Sequence, residues 1–389
     1  MMKLLGLQSD IARSVAILAL GTFAVGTDAF ILSAFLPDMA ADLGVSVAQA
    51  GYAVTVFAAS YAVLSPVLAT LTVRFERRKL LIGAIVALVL TDIAAALAPT
   101  FEMLLVSRIF AAAAAASFTP NAAAMAASLA PLESRGRALS VVVGGMTIAT
   151  AIGVPLGNLA SHALSWRGAL LMVAAVGILA AVGVFFRLPP MAGGAAVPLR
   201  KRLALLKDRK IMLILPVTVL GVAACYVPYA FVLVVLDDFG IGASYMSIML
   251  LIYGIGAVLG NIVCGAAVDR WDPRTVLLWA FAFMAVGFAL MLFIGGLTGA
   301  ALYLTVGFLM LLWGGTSWCQ APPQQARLID AAPSHGPMVV SLNSSAIYVG
   351  VALGTTMGSA TIDISTTVNL AAALFMSVLV WICVKFMRP

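Results

Sequence analysis

The chain has 389 residues, of which 63% are apolar and only 10% are charged, and its mean hydropathy is +1.13. An average soluble domain has roughly 25% charged residues, so this composition excludes a soluble globular protein and predicts an integral membrane protein. The excess of 22 basic over 15 acidic residues fits positively charged cytoplasmic loops better than nucleic-acid binding. All four cysteines lie in apolar segments without a CxxC pair, so we expect no disulfide framework, no metal site and no cofactor.

Apolar stretches separated by glycine, proline and charged residues predict twelve membrane-spanning helices, at about 20 residues per crossing. The predicted spans are about 12–37, 48–72, 79–98, 102–129, 137–161, 166–187, 211–237, 244–268, 275–296, 300–327, 337–361 and 365–386. One long connection divides the chain into an N-terminal six-helix bundle (1–190), a cytoplasmic linker (191–210) and a C-terminal six-helix bundle (211–389). We interpret the basic run at the end of the linker as an amphipathic segment that faces anionic lipid, with a regulator-binding segment as the alternative.

The positions of the basic residues predict the orientation of the chain. With the N-terminus inside, every Lys and Arg except Arg108 and Arg167 lies in an inside loop, tail or helix end. We therefore expect a multi-pass protein of the cell (inner) membrane with both termini in the cytoplasm.

The first predicted helix carries an acid, Asp28, well inside its apolar stretch. A carboxylate near the bilayer centre costs about 2.5 to 3.5 kcal/mol on insertion scales and usually faces a bundle interior or a water-filled path. Gly21 and Ala24 share its helical face, so another helix or a solute can come close to it. We interpret Asp28 as a proton-coupling group, with a purely structural acid as the alternative.

Two further charges are predicted at a similar depth. Asp92 and Arg108 lie eight residues either side of Thr100, in the short turn that joins helices 3 and 4. At about 1.5 Å per residue, both lie near 12 Å below that turn on antiparallel neighbours, so we predict a buried ion pair between them. Asp28 lies at a similar depth and could compete for the same arginine when protonation changes. The predicted proton-coupling residues are therefore Asp28, Asp92 and Arg108.

The two halves of the chain resemble each other. Pro120 recurs as Pro322, 202 residues later, and Gly157 recurs as Gly358, 201 residues later. Duplicated six-helix halves are typical of transporters that bind a solute between the halves, near the membrane midplane. No GxxxxGK[ST] pattern occurs, so the energy for transport must come from a gradient.

The loops after helices 2 and 8 resemble the GxxxDRxGRR-type signature of the major facilitator superfamily. The second loop reads GAAVDRWDPR (265–274), whereas the first, ATLTVRFERR (69–78), keeps the basic residues but lacks the first glycine and the acid. In that family the loops help to latch the cytoplasmic gate, and fixing the topology is the alternative role. The resemblance implies gating roles for Arg74, Arg78, Asp269, Arg270 and Arg274.

Helix 5 holds Gly153-Val154-Pro155-Leu156-Gly157, which resembles the antiporter motif associated with exporters in this superfamily. Physically, Gly153 and Gly157 permit close helix contact, and Pro155 frees a backbone carbonyl and bends the helix. The segments WGGTSW (313–318), PPQQ (322–325) and NSS (343–345) are similar to the drug:proton antiporter subgroup, which includes sugar, purine nucleoside and chloramphenicol exporters.

This resemblance implies an all-α integral membrane protein, with twelve transmembrane helices in two pseudo-symmetric six-helix bundles. Helices 1, 4, 7 and 10 line the cavity in the family, and aromatic faces with a few amides suit a flat or amphipathic solute. The candidate substrate-binding residues are Asn121, Tyr226, Tyr229, Trp313, Trp318 and Asn343.

We therefore interpret the chain as a proton-coupled exporter of small organic molecules, working as a monomer. An importer or facilitator of the same fold is the first alternative. A membrane enzyme or a solute sensor that transports nothing is the second, although no constellation of nucleophile, base and metal ligands supports an enzyme.

Overall fold

The computed structural model describes residues 9–194 and 198–387. These residues form sixteen α-helices joined by short turns, with no β-strand among them. The helices of the first half, called the N-half below, are α1 (Ser9–Ile31), α2 (Leu36–Asp42), α3 (Val47–Leu71), α4 (Arg77–Ala96), α5 (Phe101–Leu129), α6 (Arg135–Ile148) and α7 (Val154–Arg187). After the short linker helix α8 (Leu199–Ala204), the second half, or C-half, has α9 (Arg209–Tyr229), α10 (Val232–Asp238), α11 (Ala243–Val268), α12 (Pro273–Met291), α13 (Gly299–Cys319), α14 (Ala321–Ala331), α15 (Gly336–Ile362) and α16 (Thr366–Phe386).

The predicted number of membrane crossings is confirmed. Eleven helical stretches are long and apolar enough to cross a membrane, and the 53-residue stretch Arg135–Arg187 contains two crossings. It is broken at Ser165, whose φ of 73° and ψ of 165° lie outside the helical region. Twelve crossings result, six in each half.

The internal repeat also has a structural counterpart. α5 ends at Leu129, just before Ala130 and Pro131, and α14 ends at Ala331, just before the equivalent proline in the C-half. A residue that precedes proline is disfavoured in the helical conformation, so the same dipeptide ends a helix in both halves. A short 3-10 turn begins directly after Pro131 in the N-half and at Pro333 in the C-half, and each leads into the next crossing.

The two ends of the bundle are distinguishable by their contacts. Because the number of crossings is even, α1 begins and α16 ends at the same end, which we call the terminal end; the opposite one is the distal end. At the distal end Nη2 of Arg167 lies 2.8 Å from Oδ2 of Asp42, and Nη1 donates to the carbonyl of Ala98 at 2.7 Å. Arg167, one of the two exceptions to the predicted charge distribution, is thus neutralised there.

Three crossings differ from the sequence predictions. The seventh is not one helix over 211–237, because α9 ends at Tyr229 and α10 begins only at Val232. The tenth crossing is not one helix over 300–327 but is interrupted at Gln320, between α13 and α14, because the prolines at 322 and 323 cannot donate the hydrogen bonds that would continue α13. The first crossing is also shorter than the predicted 12–37, since α1 ends at Ile31 and a 3-10 turn, Leu32–Ala34, connects it to α2.

The expectation of no disulfide is wrong for one pair of cysteines. The structure joins Cys264 of α11 to Cys319 of α13, with the two Cα atoms 5.3 Å apart, a separation that suits a disulfide. These two helices pack very closely, because a Cβ atom on Gly256 or Gly260 would overlap the backbone of α13. The proximity is produced by tertiary packing, and 55 residues separate the two cysteines in the sequence.

Candidate functional site

The centre of the N-half contains a buried ion pair between α1 and α5. Nη1 of Arg108 lies 2.5 Å from Oδ1 of Asp28, and Nη2 donates to the backbone carbonyl of Asp28 at 3.1 Å. Both side chains are at most 1% exposed. The guanidinium carbon of Arg108 also lies 4.5 Å from the ring centroid of Phe57 on α3, which adds a cation–π contact. The pair neutralises two charges that would each be costly alone in a membrane interior.

Small side chains bring α1 close to α5, as the face formed by Gly21 and Ala24 predicts. A Cβ atom on Gly21 would overlap the ring of Phe118 on α5. On the other side of the contact, Ala111 and Ala115 of α5 are at most 1% exposed. The short distance between the helix axes lets the carboxyl group and the guanidinium meet directly.

The predicted ion pair between Asp92 and Arg108 is wrong, because Arg108 has a different partner. Arg108 binds Asp28 instead, and neither carboxyl oxygen of Asp92 has a hydrogen-bond partner among the residues that the structure describes. Asp92 is 1% exposed and is close enough to Asp28 for a hydrogen bond, with Arg108 also within electrostatic range. The helical rise predicted the depth of all three groups correctly, but the direction in which each side chain points depends on how the helices are rotated.

Three of the six candidate substrate contacts are partly exposed: Asn121, Tyr226 and Trp318. The ring of Phe30 on α1 lies 6.5 Å from the ring of Tyr226 and 6.3 Å from that of Trp318, between centroids. Two aromatic residues of the C-half therefore meet the N-half only two residues after Asp28. Nδ2 of Asn121 donates to a carbonyl of its own helix at 2.8 Å.

The other three candidates, Tyr229, Trp313 and Asn343, are buried in the core of the C-half, each at most 2% exposed. The rings of Tyr229 and Trp313 are 6.1 Å apart, and Oδ1 of Asn343 accepts a hydrogen bond from Thr218 at 2.8 Å. Of these three, Tyr229 contacts Tyr226, with ring centroids 5.3 Å apart, and the structure does not bring all six residues to one surface.

The sequence does not predict an aromatic contact that the structure forms between the halves. The rings of Tyr61 on α3 and Tyr348 on α15 are stacked, with centroids 3.7 Å apart. Oη of Tyr348 is buried and has no hydrogen-bond partner among the described residues. The only signal in the sequence was a tyrosine in the middle of an otherwise apolar helix.

The glycine motif of helix 5 packs against α1. A Cβ atom on Gly153 would overlap Thr27, and one on Gly157 would overlap Ile31. Pro155 lies in the first turn of α7, directly after a π-helical turn at Ala149–Gly153. Such turns are frequent at functional sites. The motif thus fixes the helix segment that carries Asp28, and its role in conformational change stays a prediction.

Two of the five candidate gating residues make equivalent contacts in the two halves. Arg78 donates from Nη2 to the carbonyl of Phe185, near the end of α7. Arg274 donates from Nε to the carbonyl of Val384 at 2.9 Å and from Nη2 to that of Lys385 at 2.5 Å, near the end of α16. Each arginine therefore satisfies carbonyl groups at the C-terminal end of the last helix in its half. The remaining candidates, which are exposed at the terminal end, are Arg74, Asp269 and Arg270.

Two six-helix membrane bundles that enclose buried charges and contact each other through aromatic residues define a membrane transporter fold. The family model described as Major Facilitator Superfamily matches residues 18–355, which is most of the chain. The chain therefore belongs to the Major Facilitator Superfamily, whose members are transporters rather than enzymes and bind small molecules while embedded in a lipid bilayer.

Individual relatives agree with this assignment. The chain is 33% identical to a chloramphenicol resistance protein of Streptomyces lividans, over 91% of this chain and 90% of that protein. It is 29% identical to the inner membrane transport protein YdhP of Escherichia coli (strain K12), over 89% and 88% of the two chains. The crystal structure of a mutant of the nucleoside transporter NupG has the same fold, with a TM-score of 0.76 and 13% identity, over 97% of this chain and 100% of that one.

Proposed function

We propose that this protein is a proton-coupled antiporter that exports small organic molecules by alternating access. One observation carries the proposal: two carboxyl groups and one arginine, Asp28, Asp92 and Arg108, are buried together between membrane-spanning helices. A carboxyl group that alternates between dry and hydrated surroundings changes its affinity for protons, and it can therefore couple proton movement to a change of conformation.

The location of this cluster fits such coupling. Asp28 is followed two residues later by Phe30, whose ring contacts Tyr226 and Trp318 of the C-half. The cluster, whose charge we propose to change, thus lies close to side chains that we propose contact the substrate. We propose that Asn121 belongs to the same surface, since it is also partly exposed and lies on one of the helices that line the cavity in the family. For Tyr229, Trp313 and Asn343 we propose contact with substrate in another conformation of the C-half.

Three further points support export of an organic molecule across the inner membrane. The glycine and proline motif of helix 5 resembles that of exporters. One relative is a chloramphenicol resistance protein, and another is an inner membrane transport protein. The distribution of basic residues favours a terminal end that faces the cytoplasm. Drug-like molecules, nucleosides or purines, and sugar-like molecules are the proposed substrate classes, and the working unit is proposed to be a monomer.

We also propose that the conformation described here faces the cytoplasm. The halves touch at and near the distal end: a Cβ atom on Gly51, in the first turns of α3, would overlap Phe231 and Ser359 of the C-half. The distal side would then be closed, and the proposed gating residues of the terminal end, Arg78 and Arg274 among them, would make contacts within their own halves only.

The test is transport by the purified protein in inside-out proteoliposomes, with chloramphenicol, a purine nucleoside and a pentose as probes. At least one probe is expected to accumulate when the vesicle interior is acidic, and a protonophore should abolish its accumulation. Asp28→Asn should lose this response, whereas Asp363→Asn, which changes an exposed distal acid, should keep it. Equal uptake with and without the pH gradient would favour a facilitator, and uptake driven by the reverse gradient would favour an importer.

A further inference from the structure

Asp92 is a buried carboxyl group that the ion pair does not neutralise. It lies on α4, is 1% exposed, and makes no ion pair within the part of the chain that the structure describes. Neither of its oxygens accepts a hydrogen bond from a described residue, and Oδ2 of Asp28 has none either. Three buried acceptor atoms on two neighbouring carboxyl groups therefore lack a donor.

The net charge of the cluster also indicates that a donor proton is required. Two ionised carboxylates and one guanidinium would leave one net negative charge in a site that is closed to water. Burial of an uncompensated charge is far more costly than burial of a neutral acid, so the site is expected to hold one proton. A protonated carboxyl group also has an O–H donor, and the side chains of Asp28 and Asp92 are within hydrogen-bonding range of each other.

The proton has two possible locations, and the geometry distinguishes them. Protonation of Asp28 would remove the counter-ion that lies 2.5 Å from Nη1 of Arg108 and would leave a buried guanidinium facing a neutral acid. Protonation of Asp92 keeps that ion pair intact and supplies a donor to the free Oδ2 of Asp28. The second arrangement satisfies more groups at lower electrostatic cost.

Other charged groups do not compensate Asp92. Its helix, α4, packs against α1, α5 and α7. The charged side chains of α1 and α5 at this level are Asp28 and Arg108. On α7, His162 is exposed, and Arg167 donates to backbone carbonyls at the distal end of α4 and pairs with Asp42.

We propose that Asp92 carries the exchangeable proton, while Asp28 stays ionised as the fixed counter-ion of Arg108. In the closed site the proton is on Asp92, and the resulting O–H group donates a hydrogen bond to the carboxylate of Asp28. When the site becomes hydrated, Asp92 releases that proton to water, and the two carboxylates then compete for one guanidinium. The division of roles rests on the proton coupling proposed above, in which either acid could have been the carrier.

The protonation state can be measured without any substrate. Infrared spectra of the purified protein at neutral pH should contain the C=O band of a protonated carboxylic acid. We expect the band in wild type and in the control Asp363→Asn, and its loss in Asp92→Asn, which leaves Asp28 and Arg108 as a balanced pair. A band that persists in Asp92→Asn, or that is absent from wild type, overturns the assignment. The carrier itself is identified by glutamate variants, because removal of either acid leaves one carboxylate balanced by Arg108. Asp92→Glu should move the band and Asp28→Glu should not, and a band that Asp92→Glu leaves unmoved overturns the assignment.

Transport separates this inference from the proposed function. With chloramphenicol as the probe, accumulation driven by a pH gradient should fall at least tenfold in Asp92→Asn and should stay at the wild-type level in the control Asp363→Asn. If wild type itself ignores the gradient for every probe, the proposed function fails. If wild type responds and Asp92→Asn responds equally, only the assignment of the proton to Asp92 fails.

Discussion

Asn158 of α7 hydrogen-bonds to Ser247 of α11 and so joins the two halves of the protein. Its Oδ1 accepts from the hydroxyl of Ser247 at 2.6 Å, and its Nδ2 donates to the carbonyl of Ala34 at 2.6 Å. Asn158 is 1% exposed and Ser247 is 8% exposed, so water competes little for either bond. One amide thus holds the turn after α1 and the C-half together near the distal end.

We expect Ser247→Ala to shift the protein toward a form that is open at the distal end. The substitution leaves Oδ1 of Asn158 buried without a donor in the closed form, which costs about 1–3 kcal/mol, whereas water can satisfy it in the open form. Spin labels on the exposed distal residues Ala41 and Ser244 would report the shift as a larger population of long distances.

A matched control for this prediction is Ser377→Ala. Ser377 is also fully buried, but it donates only to the carbonyl of Ala373 in its own helix, at 2.8 Å. Its removal should not alter the distance distribution. If both variants give the wild-type distribution, the bond between the halves does not contribute to closure.

Gly254 provides a second test of the closed distal side. It lies on α11 where this helix crosses the π-helical turn of the N-half, and a Cβ atom there would overlap the backbone of Ala151. Gly254→Ala should therefore disfavour the closed form by about 1–3 kcal/mol, as overpacking does. We expect at least a tenfold loss of transport and longer distal distances. Gly83→Ala, on α4 with open space around it, should leave both unchanged.

The glycine motif of helix 5 permits a prediction about stability within the N-half. Gly153→Ala should lower the free energy of unfolding by about 1–3 kcal/mol, because its Cβ would overlap Oγ1 of Thr27. Thr27→Ala removes that oxygen, so the double variant should recover most of the loss. Gly157→Ala should cost a similar amount, since its Cβ would overlap Cγ1 and Cδ1 of the β-branched Ile31. Thermal unfolding in detergent compares the stability of the three single variants and the double variant with that of wild type. Strictly additive losses for Gly153→Ala and Thr27→Ala would contradict the contact.

The buried ion pair predicts strong coupling in a double-mutant cycle. Asp28→Ala or Arg108→Ala alone leaves an unpaired buried charge and should cost about 3–5 kcal/mol of stability. The double variant should recover part of this loss. The same cycle between Asp92 and Arg108 should show a smaller coupling energy, because the structure forms no ion pair between them. Equal coupling in the two cycles would mean that Arg108 is shared between both acids.

Much of the architecture could be predicted from the sequence because it depends on local composition and spacing. Apolar length fixed the number of crossings, since backbone polar groups in a bilayer must be satisfied within helices. The repeat of Pro120 and Pro322 indicated two related halves. The depth of Asp92 and Arg108 followed from a constant helical rise counted from one turn.

Only the tertiary structure decided which of these groups meet. Side-chain direction depends on the rotation of each helix about its axis. Close packing at Gly21 sets the short distance between α1 and α5, and at this distance Arg108 pairs with Asp28 rather than with Asp92. The hydrogen bond of Asn158 to Ser247 and the pairing of Cys264 likewise join residues from separate helices. The sequence contains the residues and their depth along each helix, but neighbours across helices are determined by packing, which no local pattern encodes.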